Sequence, residues 1–237
     1  MRRLLALVAV VSFLPAAHAQ TETLAYDGAW ADRAAGEALV ALPDGYDADP
    51  DRTWPLLVFL HGAGERGDSL EAVAVHGPIQ ERRAGRDLPF VVVAPQVPAG
   101  RRWTVGRVVA ALDDALGRYR IDPDRVYLTG LSMGGFGTWE AITAVPERFA
   151  AAVPVCGGGL PLGVGAARAV PVWAFHGAMD RVVPVGASVE MVRALREAGG
   201  DVRFTVYPDA GHDAWTETYA NPEVYEWLLD HRLSDRD

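Results

Sequence analysis

Short apolar runs alternate with amphipathic stretches along most of this chain, and each run stops at a turn-forming residue. Leu56-Leu57-Val58-Phe59-Leu60 ends at His61-Gly62, and Phe90-Val91-Val92-Val93-Ala94 ends at Pro95. Val126-Tyr127-Leu128-Thr129 ends at Gly130, and the run from Ala151 to Cys156 ends in three glycines. Val172-Trp173-Ala174-Phe175 ends at His176-Gly177, and the run from Val202 to Tyr207 ends at Pro208. Runs this short that are apolar at consecutive positions read as strands covered on both faces, the habit of parallel sheets. Shorter strands are expected near Leu24 to Tyr26 and Ala38 to Leu42, at one edge.

Between the runs the period changes to that of a helix. From Val105 to Tyr119, the residues Val108, Leu112, Ala115 and Leu116 fall on one face. Helices are also expected over Gly135 to Ala144, Ala187 to Ala198 and Val224 to His231, with Gly199-Gly200 ending the third. Strand alternating with helix predicts an α/β fold: a mostly parallel sheet with helices on both faces.

The first residues follow a different pattern. Met1-Arg2-Arg3 is basic, Leu4 to Leu14 is uncharged and apolar, Pro15 breaks the run, and Ala17-His18-Ala19 has small residues at the outer positions. That is the three-part form of a signal peptide, so residues 1–19 are expected to be a cleaved leader and the product secreted or periplasmic. The run is too short for a membrane anchor, which needs roughly 20 apolar residues. Residues 20–237 contain no Pro-, Gly- or Ser-rich linker and are read as one domain.

Composition removes several kinds of chemistry. The chain has 237 residues, and all 22 of its basic residues are arginine, so lysine Schiff bases, P-loop lysines and Ser-Lys dyads are excluded. Cys156 is the one cysteine, which rules out an intrachain disulfide and multi-cysteine zinc sites. The six histidines are scattered, without metal-ligand spacing, so no metal and no cofactor is expected. A net charge of -9 argues against nucleic acid as a partner.

In parallel sheets, sites form beyond the carboxyl ends of strands. Gly130-Leu131-Ser132-Met133-Gly134 lies at such an end and matches the pattern G-x-S-x-G, in which a sharp strand-to-helix turn holds a serine out over the sheet. A serine hydroxyl needs a base, and the base needs an orienting acid. His212, in the turn after the last strand, is the best-placed base. His61 and His176 end strands, and are read as loop ties. Asp180 is the preferred acid over Asp209 and Asp213, which lie too close to His212 in the chain to reach its far nitrogen. The order Ser132, Asp180, His212 is that of α/β-hydrolases. Backbone N–H groups of Met133 and Ala63 are expected to form the oxyanion hole, with Glu65 and Arg66 pairing to brace the loop after the first long strand. Trp215 and Trp103 are candidate substrate contacts, while Trp139 and Cys156 are read as core.

The stretches LHGAGERG (60–67), APQ (94–96), IDPDRVYLTGLSMGGFGTW (121–139), FAAAVPVCGGG (149–159), PVWAFHGAMDRVVPV (171–185) and GHDAWTETYANPEVYEWLL (211–229) carry a family resemblance. The chain resembles α/β-hydrolases of the secreted esterase and "predicted peptidase" group, near the dienelactone hydrolases, carboxylesterases and prolyl oligopeptidase catalytic domains. The resemblance implies an eight-stranded sheet with Ser132, Asp180 and His212 as catalytic triad. It also implies hydrolysis of short-chain, acetyl or feruloyl esters, small or polysaccharide-linked, with peptide hydrolysis as the alternative. Only Gly157 to Val170 stands where lipases insert an apolar lid, so an open site is expected.

Overall fold

The computed structural model describes residues 21–27 and 36–236; the leader expected over residues 1–19 lies outside them. Eight strands form one sheet: β1 (Thr21–Tyr26), β2 (Gly36–Ala41), β3 (Trp54–Leu60), β4 (Val91–Pro95), β5 (Ile121–Leu131), β6 (Ala151–Val155), β7 (Val172–Gly177) and β8 (Val202–Tyr207). Their spatial order is β1-β2-β4-β3-β5-β6-β7-β8. β2 runs antiparallel to β1 and β4, and every pair from β4 to β8 is parallel.

The period-two geometry of a strand divides each apolar run between two cores. Leu56, Val58 and Leu60 of β3 join one core, with α2 (Val105–Arg118), α3 (Met133–Ala144) and α4 (Gly186–Glu197) covering it. Leu57 and Phe59 join the other, under α1 (Pro78–Arg83), α5 (Trp215–Ala220) and α6 (Pro222–Leu229). All seven residues of β3 are buried. That is why its sequence shows no alternation, only a continuous apolar run.

Two local features depart from expectation. β5 begins at Ile121, because Trp54 pairs with Ile121 before the register shifts and resumes at Leu56 with Val126. Pro123 cannot donate a ladder hydrogen bond, and the Asp122 carboxylate accepts from the N–H of Asp124 across this irregular stretch. α6 starts at Pro222, capped by Asn221, whose side chain accepts from Glu223 N–H. The short helices α1 and α5 were not evident from periodicity, since six residues are too few to show one.

The chain leaves β3 for β4 on one side and returns through α2 to β5 on the other. The loops after β3 and β5 therefore diverge, and a crevice opens between them at the carboxyl end of the sheet.

Candidate active site

Ser132 sits between β5 and α3 with φ 51° and ψ −115°, a conformation side chains rarely adopt. Glycines make that turn possible. A Cβ on Gly134 would lie 1.9 Å from the carbonyl oxygen of Leu60, and one on Gly130 would lie 2.5 Å from that of Gly134. The backbone N–H of Ser132 donates to Val155 O at 2.9 Å, fixing the turn to β6. Strain at a residue so tightly held suits a reactive side chain that must stand clear of the sheet.

The loop after β8 brings His212 to this serine. Nε2 of His212 lies 2.9 Å from Ser132 Oγ, and Nδ1 lies 2.7 Å from Asp180 Oδ2. Asp213, by contrast, turns to the start of α5, where its carboxylate accepts from Thr216 N–H at 3.1 Å. The Asp180 carboxylate follows β7, and its other oxygen accepts from the N–H groups of Val182 (2.8 Å) and Val183 (2.9 Å). Burial pushes the Asp180 carboxyl up, but the hydrogen bonds from His212, Val183 and Val182 outweigh it and hold the group below the usual carboxylate range. An ionised Asp180 fixes the proton on Nδ1 and leaves the Nε2 lone pair facing Ser132, as a base requires.

The loop after β3 forms the opposite wall. His61 ties it down: Nε2 accepts from Val97 N–H at 3.0 Å, so Nδ1–H donates to Gly62 O at 2.6 Å. Burial pushes His61 down to about 4, in keeping with this neutral role. Trp103 Nε1 donates to His61 O at 2.9 Å, and Gln96 Nε2 donates to Glu65 O and Ser69 O, each at 2.8 Å. The expected Glu65–Arg66 pair is not formed. The Arg66 guanidinium donates instead to Ala63 O (2.8 Å) and Arg101 O (3.3 Å), because backbone carbonyls of the turn lie nearer to it. Ala63 opens the 3₁₀ turn Ala63–Glu65, and Met133 opens α3, where an N–H has no intrahelical acceptor.

Ala63, Ser132 and Met133 share a cavity of about 780 Å³. Trp103, Phe136, Trp139 and Leu160 supply much of its apolar wall, with Arg66, Arg102 and Glu140 among its polar residues. Trp139 is therefore both core and cavity wall. Trp215 is placed elsewhere: its ring meets His212 edge-on, with centroids 5.1 Å apart, and it is not among the residues lining this cavity. Phe136, Glu140 and Leu160 were not singled out in the sequence. The helical spacing 133, 136, 137, 140 could have pointed to the first two, whereas Leu160 arrives from the segment after β6, beyond the reach of periodicity.

Cys156 is buried, its Sγ donates to His212 O at 3.2 Å, and burial pushes its thiol up to about 11, unlike a reactive thiolate. Cys156, His176 and Asp180 place potential metal-ligating atoms within 4.8 Å of one another. Each is engaged in hydrogen bonds to neighbouring protein groups.

Residues 95–226 match the model of the family described as the dienelactone hydrolase family. A bifunctional acetylxylan esterase/xylanase from Neocallimastix patriciarum is 32% identical over 136 residues, covering 54% of this chain and 20% of that protein. The chain thus spans about a fifth of that relative's length. Among solved structures, a thermostable esterase is 36% identical with a TM-score of 0.75, over 89% of this chain and 63% of the other. A mutant feruloyl esterase module from Clostridium thermocellum, complexed with sinapinate, has a TM-score of 0.67 at 18% identity. It covers 91% of this chain and 89% of the module, and the likeness is one of fold.

Proposed function

This chain belongs to the dienelactone hydrolase family, and we propose that it is a serine carboxylic-ester hydrolase. The observation that carries the reading is the continuous chain of contacts Asp180 Oδ2–His212 Nδ1 at 2.7 Å and His212 Nε2–Ser132 Oγ at 2.9 Å, opening on the cavity. In the reaction, His212 Nε2 takes the Ser132 proton as Oγ attacks the ester carbonyl carbon. The carbonyl π pair moves to oxygen, and the oxyanion accepts hydrogen bonds from the N–H groups of Met133 and Ala63. Collapse breaks the bond to the alcohol oxygen, which leaves with the proton from His212. Water then repeats the sequence on the acyl-enzyme and releases the acid.

The substrate class follows from the walls. Trp103, Phe136 and Trp139 line the cavity, and aromatic rings suit aryl or sugar groups. Leu160 and Leu162, in the segment after β6, are 70% and 96% exposed, so this segment leaves the crevice open. Acetyl and feruloyl-type esters, free or attached to a polysaccharide, fit these features and the names of the similar proteins. The N-terminal pattern supports export, with maturation near Gln20.

The test is a panel of acetyl, butyryl and feruloyl esters together with a peptide amide. Esters are expected to turn over far faster than the amide, and Ser132→Ala is expected to lose several powers of ten in kcat while folding normally. A Ser132→Ala enzyme within tenfold of the parent would refute the assignment.

A further inference from the structure

The cavity beside Ser132 carries positive charge that the ester-cleaving groups do not use. Arg66 and Arg102 both line it, one from the loop after β3 and the other from the segment between β4 and α2. Elsewhere in the chain, Arg82, Arg86 and Arg125 pair with carboxylates, and Arg52 and Arg203 lie over tryptophan rings. Among the described residues, neither Arg66 nor Arg102 has a carboxylate partner. Glu140, the one acidic residue in the cavity lining, comes from α3 and pairs with neither.

Arg66 is also held in place. Its Nε and Nη1 donate to the carbonyl oxygens of Ala63 and Arg101, at 2.8 and 3.3 Å, so the guanidinium joins the two loops. Neutral carbonyls orient the group without cancelling its charge, and Nη2 remains for an outside acceptor. The same cavity has aromatic wall from Trp103, the residue after Arg102, and from Phe136. This combination suits a uronic acid sugar: the C–H face of the pyranose packs on aromatic carbon, and the carboxylate meets a guanidinium fork.

We propose that the cavity seats the alcohol side of the ester, and that Arg66 and Arg102 select alcohols bearing a carboxylate, namely uronic acid residues of an acidic polysaccharide. The proposal rests on the reading of the chain as a serine ester hydrolase and deepens it by naming the alcohol.

The side of the ester follows from size and access. An acetyl group fills only a small part of about 780 Å³, so the rest is left for what the acetyl group is attached to. Leu160 and Leu162 are largely exposed and leave the crevice open, so a polymer can continue out of it. The net charge of −9 gives a polyanion no attraction at long range, so recognition has to come from these side chains at contact. Both arginines are exposed, and water screens each contact. Each is therefore expected to contribute up to about fivefold in kcat/KM, and the two together about tenfold.

The test compares acetate release from acetylated polygalacturonate with release from the same polymer made neutral by carboxyl reduction and acetylated to the same degree. The parent should prefer the acidic polymer by about tenfold in kcat/KM, Arg66→Gln and Arg102→Gln should each cut that preference about two- to fivefold, and the double variant should abolish it. Arg102 has no side-chain partner to lose among the described residues, so Arg102→Gln decides the matter if Arg66→Gln disturbs its loop. A parent that treats the two polymers alike, or a preference undiminished in Arg102→Gln, overturns the proposal. A second pair, p-nitrophenyl hemiglutarate and p-nitrophenyl valerate, checks the side of the ester. An arginine-dependent preference for the hemiglutarate, with none between the polymers, puts the carboxylate on the acyl side and overturns the proposal as well. Fluorophosphonate labelling of the parent separates the two readings. An unlabelled Ser132 with no release from either polymer overturns the ester-hydrolase reading, whereas a labelled Ser132 with equal release from both overturns the selection by Arg66 and Arg102 alone.

Discussion

The tightest backbone approach beside Ser132 is at Gly134, and a single methyl group there should disable the protein while altering no functional side chain. The Cβ of Gly134→Ala would stand 1.9 Å from Leu60 O, 2.5 Å from Leu60 C and 2.9 Å from His61 O. These are backbone atoms of β3 and of its exit, pinned between β4 and β5, so they cannot swing aside like the end of a side chain. Restoring the 3.0 Å below which Cβ contacts are essentially never found requires α3 and β3 to part by roughly 1 Å. Overpacking of this kind costs about 1–3 kcal/mol. The displacement falls between Met133 on one side and the loop that carries Ala63 on the other, so it misplaces the expected oxyanion donors relative to each other. A misplacement of about 1 Å costs on the order of 10²-fold in rate. The assay is kcat/KM on p-nitrophenyl acetate beside a thermal melt, with Gly117→Ala as control. Gly117 is exposed in α2, with nothing within 4 Å of its added Cβ. A Gly134→Ala protein with parental melting and parental kcat/KM would refute the claim that this contact sets the geometry of the site.

Three further outcomes are expected from the same structure. Gly117→Ala should stabilise the protein by at most about 0.5–1 kcal/mol, since it replaces a glycine in the last turn of α2 that has open space around it, and a denaturant titration reads the change directly. Asp180→Asn should slow ester hydrolysis on the order of 10⁴-fold, the loss known for the equivalent change in a serine protease, while Asp213→Asn, whose carboxylate serves only the start of α5, should change kcat by less than about threefold. The stability of the fold should decline as pH falls from 6.5 towards 4. The unfolded chain takes up a proton at His61 that the folded state refuses until about 4, a linkage on the order of 3 kcal/mol if the site opens only on global unfolding. His61→Gln should flatten that part of a plot of unfolding free energy against pH, and an unchanged slope would show that another group is responsible.

What the sequence determines by itself is the set of elements and the chemical character of the loops between them. Consecutive apolar residues such as Leu56 to Leu60 can satisfy both faces of a strand only inside a covered sheet, so burial and parallel character were legible from the run alone. The glycines of Gly130-Leu131-Ser132-Met133-Gly134 were legible for a similar reason, because the turn they serve excludes a Cβ wherever it occurs. Short range also set the limits of the reading. α5, with six residues, was too brief to show a period, and the start of β5 was obscured by the register shift at Pro123. The choice between Arg66 pairing with Glu65 and Arg66 binding the Ala63 and Arg101 carbonyls depends on where a loop folds back, which no local pattern encodes. Tertiary structure alone decided that Trp139 faces both core and cavity and that Trp215 packs on His212. It also decided that Leu160 reaches the crevice from the segment after β6 and that His176 and His212, from separate strands' exits, both come close to Asp180 Oδ2. Each of these is a meeting of groups carried by separate elements. Their distances are set by how strands stack and helices cross, a property of the packed sheet and not of any stretch of chain.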